Sequence, residues 1–137
     1  MTTPAPTDAT LGPEVRIVVD GELARLSTPD HALIVLDGVR RHGAGFAAWL
    51  RVRDTPPEDP TCLLRFEQHY AGQWETIDDL IVDTVEALAW REDLDELRLR
   101  NHIPANYLIW DRNALIGRIH ATHSLVELDG LTYAFTR

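Results

Sequence analysis

The sequence predicts an α+β protein: a helical middle unit followed by a small β-α-β-β unit with a three-stranded sheet. Three observations predict it. Ile77, Leu80, Ile81, Thr84, Val85 and Leu88 recur at i, i+3, i+4, i+7, i+8 and i+11, the apolar stripe of one helix. Thr28-Pro29-Asp30 sets a capping hydroxyl, a first-position proline and a first-turn acid in order, a helix start. Asp129-Gly130, between apolar Leu125–Leu128 and Leu131–Phe135, is the dipeptide of a type I′ hairpin turn.

The elements follow in order. Residues 1–13, rich in Pro, Thr and Ala, read as a disordered tail. Val15, Ile17 and Val19 alternate with Arg16 and Val18 as in a strand; Asp20-Gly21 turns the chain, and Glu22 to Leu26 is the candidate returning arm. The helix begun at Thr28 buries Leu33, Leu36 and Val39, with Ala32 and Val35 as further candidates. Arg40, Arg41 and His42 favour its last turn, and Gly43 ends it. Ala44 to Val52 is a second helix anchored by Phe46, Trp49 and Leu50. Three prolines between Asp54 and Pro60 make a linker. Asp59-Pro60 restarts a helix that turns Leu63, Leu64, Phe66 and Tyr70 inward and closes at Gly72.

Trp74 stands where a hydrophobic staple would, ahead of Thr76, the cap of the acidic helix. Asp93 to Leu99 forms a short helical turn burying Leu94, Leu97 and Leu99. Tyr107 to Trp110 is a short apolar strand, and Asp111 caps a helix to about His120 with Leu115, Ile116 and Ile119 inward. The predicted boundaries are thus a tail (1–13), a strand or hairpin with a helical domain (14–103), and a β-α-β-β domain (104–137).

Charge is the feature that bears on function. The chain carries −9, yet residues 54–99 hold thirteen acids against Arg65, Arg91 and Arg98, while the flanks are nearly neutral. Glu75, Asp79, Asp83 and Glu86 are spaced by three or four residues, placing neighbours roughly 5–6 Å apart along a helix. Alternate phosphates on one DNA strand rise by about twice 3.4 Å, so such a row fits a phosphate-binding groove. The ordinary reading of a charge run is a solvated face, and spacing does not separate the two.

The acidic balance argues against direct nucleic-acid binding but leaves a nucleic-acid-binding partner open. No apolar run approaches the ~20 residues of a membrane span, and the first residues lack the charged and apolar regions of a secretory signal, so a cytoplasmic setting is expected. A lone Cys62 excludes an internal disulfide and a cysteine-rich zinc site. His120 and His123 are the only close histidine pair and lack an evident third ligand. Adjacent carboxylates such as Asp78-Asp79 point about 100° apart and make no acid–base pair, and Gly43-Ala-Gly45 is too short for a phosphate loop. The expectation is a protein without enzymatic activity, cofactor or metal. The four tryptophans read as core anchors.

Four stretches in order resemble the ArdA antirestriction family: LIVLDGVRRHGAGFAAWL (33–50), RFEQHYAGQWETIDDLIVD (65–83), WDRNALIGRI (110–119) and LDGLTYAFTR (128–137). The third is similar to the family's antirestriction motif, with Asp111 and Ala114 matching and Asn113, Gly117 and Arg118 departing from it. The likeness covers about Val15 to Arg137, with the family's N-terminal domain largely missing. It implies a homodimer from a phage or other mobile genetic element, acting as an acidic DNA mimic in the DNA-binding groove of a type I restriction–modification enzyme. The expected mimic residues are Glu67, Glu75, Asp78, Asp79, Asp83, Glu86, Glu92, Asp93, Asp95 and Glu96. The dimer contact the resemblance implies is Tyr107, Trp110, Asp111, Ala114, Leu115 and Arg118. The alternative is a protein-interaction module that keeps the fold without mimicking DNA.

Overall fold

The computed structural model describes residues 11–52 and 56–137, so the expected tail through residue 10 and the start of the proline linker lie outside it. Seven α-helices and three strands follow in order among the described residues. These are α1 (Pro13–Arg25), α2 (Pro29–His42), α3 (Ala44–Trp49), α4 (Cys62–His69), β1 (Tyr70–Trp74), α5 (Ile77–Ala87), α6 (Trp90–Arg100), α7 (Arg112–Thr122), β2 (His123–Leu128) and β3 (Leu131–Thr136). A 3₁₀ turn covers Ala105–Tyr107. The α+β class stands, and the sheet has three antiparallel strands in the order β1-β3-β2, with β1 in the place expected for a strand at 107–110.

The chain divides into two compact units: residues to Glu75 together with His123–Arg137, and Thr76–Thr122. The second unit is an insertion between β1 and β2, so the expected boundary near residue 103 is replaced by one at each end of the insertion.

In the first unit the expected N-terminal hairpin is a helix. Val15, Val18 and Val19 are buried at helical spacing, and Pro13 occupies the first turn of α1. Gly12 offers no side-chain cap; instead Asp129 of the β2–β3 turn accepts hydrogen bonds from the Glu14 N–H (2.9 Å) and the Val15 N–H (3.1 Å). Glu14 Oε2 in return accepts from the Asp129 N–H at 3.2 Å. A cap contributed from more than a hundred residues away overrides the local strand pattern. Asp129 and Gly130 both have positive φ, 51° and 79°, as the expected type I′ turn requires.

Thr28 caps α2 as its sequence indicates, accepting from the His31 N–H. The buried side of α2 is Val35, Gly38 and Val39, and Leu33 and Leu36 are exposed, against expectation. The ring of Phe46 lies where a Cβ on Gly38 would stand, and this close approach fixes the rotation of α2. Small Ala47 and Ala48, both fully buried, let α3 pack against α1, α2 and all three strands. Phe66 of α4 is ringed by Phe46, Trp49, Tyr70 and Phe135 at centroid distances of 5.4, 6.2, 4.9 and 6.2 Å.

The helix expected to close at Gly72 ends at His69, and Tyr70–Trp74 becomes an edge strand on β3, with a bulge between Tyr70 and Gly72. Trp74 is a strand residue paired with Thr132. Leu64 is exposed, while Cys62 and Phe66 carry the buried side of α4. Burial pushes the Cys62 thiol up, and pushes the phenol of Tyr133, in the central strand, to about 12.

Candidate partner-binding surface

The second unit holds eight of the ten acids expected to form the mimic; Glu67 and Glu75 belong to the first. Thr76 starts α5 by accepting from the Asp79 N–H at 3.2 Å. Leu80 and Val85 give α5 its buried side, with Ile77, Ile81 and Thr84 half-buried beside them and Leu88 exposed. Asp79, Asp83 and Glu86, at i, i+4 and i+7, share the opposite, exposed side. Ala89, with φ of 57°, turns the chain into α6.

Along α6, Trp90, Leu94 and Arg98 recur every four residues and are half-buried. That stripe places Glu92, Asp93 and Glu96 outward. It also leaves Leu97 and Leu99 exposed, contrary to the sequence reading; Leu99 is 75% exposed.

The carboxylates divide by their partners. Asp78 is held by the Arg112 guanidinium through two hydrogen bonds, 2.6 and 3.3 Å, which lower its pKa below the usual aspartate range and raise that of Arg112. Asp95 pairs with Arg98 at 2.8 Å, and Glu86 lies 3.9 Å from Arg91. Glu67 faces His42 at 3.4 Å and Arg41 at 4.0 Å. Asp79, Glu92, Asp93 and Glu96 have no ion pair among the described residues. The outward faces of α5 and α6 carry six exposed carboxylates, one of them, Glu86, beside Arg91, while Asp78 lies on the flank of α5 against Arg112.

That flank was not expected. Tyr107–Trp110, read as a strand, begins at the end of the 3₁₀ turn and continues without strand pairing among the described residues. Its residues are exposed, Tyr107 to 71% and Ile109 to 85%. Asp111 caps α7 as expected, accepting from the Ala114 N–H at 3.1 Å, and Ile119 is the buried residue of that helix.

Trp90 and Trp110 are not core anchors: half-buried Trp90 stacks on exposed Trp110 at 6.4 Å, and Arg118 lies 5.0 Å from the Trp90 ring centre. Trp110 and Leu115 share a pocket with Arg91 and Arg112. Of the set implied as a dimer contact, Trp110, Leu115 and Arg118 therefore fall in one cluster, Asp111 is occupied as a cap, and Tyr107 and Ala114 are exposed. The cluster's other members, Trp90, Arg91 and Arg112, were missed. The Trp-Arg and Trp-Asp-Arg runs at 90 and 110 carried the signal.

Among the described residues no three His, Cys, Asp or Glu side chains converge as a metal site would need. No helix among them is long and apolar enough to cross a membrane. No family model, curated protein or solved structure matches the chain.

Proposed function

We propose that this protein acts by binding rather than by catalysis. The carboxylates of α5 and α6 substitute for DNA phosphates in the basic groove of a DNA-handling enzyme. The motif-level resemblance to ArdA proteins directs this to a type I restriction–modification enzyme, with a homodimer as the acting form. One observation carries the proposal: Asp79, Asp83, Glu86, Glu92, Asp93 and Glu96 all project outward from two packed helices. Each helix is eleven residues, about 16 Å long, and covers about five base pairs' worth of phosphate. A protein that grips phosphates has already assembled the cations such a surface needs, so competition is electrostatic and falls with salt.

The test is DNA cleavage and methylation by a purified type I enzyme with this protein added. Inhibition is expected, to be abolished by Asp79→Arg with Asp83→Arg, or by Glu92→Arg with Glu96→Arg. Absence of inhibition at large molar excess refutes the proposal.

A second reading is favoured by a specific observation. Asp78, Glu86, Asp95 and Glu67 face cations of the chain itself, and Leu97, Leu99, Tyr107, Leu108, Ile109 and Trp110 are exposed. A protein-interaction module docking through apolar surface would bind its partner with little salt dependence and a negative heat-capacity change.

A further inference from the structure

The flank of α5 carries a pocket that the acidic face does not use. Ile81, Val82 and Val85 form one wall, and Trp110 and Leu115 supply more apolar lining. Its volume is about 140 Å³. An apolar cavity of ~150 Å³ admits benzene, so the space suits one ring or one branched chain.

Arg91, Arg112 and Asp78 complete the lining. Asp78 is engaged by Arg112 at 2.6 Å. Arg91 meets Glu86 at 3.9 Å, the outer limit of an ion pair, with about half of its side chain exposed. The pocket therefore joins an apolar floor to a cation held only loosely by its neighbour. A neutral ligand would leave that cation idle, and a cationic one would be repelled by it.

We propose that this pocket binds a small apolar carboxylate: a single ring or branched chain, seated between Val82 and Trp110, with its carboxylate on Arg91. A free acid and the C-terminal residue of a peptide share this chemistry, and the experiment separates them. The proposal does not rest on the DNA-mimic reading: its test reads ligand binding between Val82, Trp110 and Arg91, of which Arg91 alone meets the acidic face, through Glu86.

The experiment titrates the full chain with 3-phenylpropanoate and follows the Trp110 and Leu115 resonances by NMR. Saturable shifts are expected with Kd on the order of 1 mM, typical for a ligand of this size. The matching amine, 3-phenylpropylamine, binds at least about five-fold more weakly. Arg91→Gln weakens the acid to the level of 3-phenylpropanol and leaves the alcohol's affinity unchanged, an effect loss of packing would not produce. Val82→Phe, at an exposed position, fills the pocket and abolishes binding of acid and alcohol alike. N-acetyl-Gly-Gly-Phe is titrated in parallel: tighter binding than the free acid assigns the pocket to a peptide terminus, weaker binding to a free acid. The proposal is overturned by no saturation at about 20 mM of either carboxylate, by equal affinity for the amine, or by unchanged acid binding in folded Arg91→Gln.

Discussion

Replacing Asp129 with alanine tests the link between α1 and the β2–β3 turn. Asp129 accepts two backbone hydrogen bonds at the start of α1, and its own N–H is accepted by Glu14. Losing a helix cap costs about 1 kcal/mol, and alanine at the positive φ of position 129 costs about another 1 kcal/mol. Removing the carboxylate also withdraws a charge from the positive end of the helix, about 0.3–1 kcal/mol. The expected loss is about 2–3 kcal/mol, or roughly 10 °C in Tm for a domain of about 100 residues. Asp129→Asn keeps one acceptor oxygen and tolerates positive φ, so its loss should be about 1 kcal/mol. Urea unfolding followed by far-ultraviolet circular dichroism gives both values, and hydrogen exchange locates the effect at the Glu14 and Val15 amides. A loss below about 0.5 kcal/mol for Asp129→Ala, or equal losses for the two variants, refutes the long-range cap.

Two further outcomes follow from contacts described above. Gly38→Ala would ordinarily gain about 1 kcal/mol of helix propensity, but its methyl meets the Phe46 ring in the core; thermal melts should show a net loss of about 1–3 kcal/mol. Arg112 lowers the Asp78 pKa in the folded state, so this pair stabilises the fold above the ordinary aspartate range, about 3.9, and the benefit is lost as pH falls through the lowered value. Asp78→Asn should therefore melt below the parent at neutral pH and match it in strong acid; a constant gap across that range refutes the assignment.

How far the sequence led is visible in three segments. Thr28, Thr76 and Asp111 were legible as caps because a cap is a local device, read from a side chain and an amide three residues on. Residues 15–19 were not: Val15, Ile17 and Val19 alternate, Val15, Val18 and Val19 fit a helix equally well, and the deciding partner is Asp129. Tyr70–Trp74 was hidden for a related reason, since an edge strand is defined by the register it adopts on β3, Tyr70 opposite Phe135. On the candidate surface, acid positions were legible from helical spacing, but their neutralisation was not. Asp78 and Arg112 are thirty-four residues apart, and only the packing of α5 with α7 brings them together.

The strand order β1-β3-β2 has a consequence for synthesis on the ribosome. The central strand of the sheet is made after both of its neighbours, so neither Tyr70–Trp74 nor His123–Leu128 has a ladder to join until Leu131–Thr136 has emerged. The first helix waits as well, because the aspartate that anchors its beginning is translated just before that strand. A nascent chain stalled short of residue 131 should hold helical segments with two unzipped edges, the condition in which a holdase would find it.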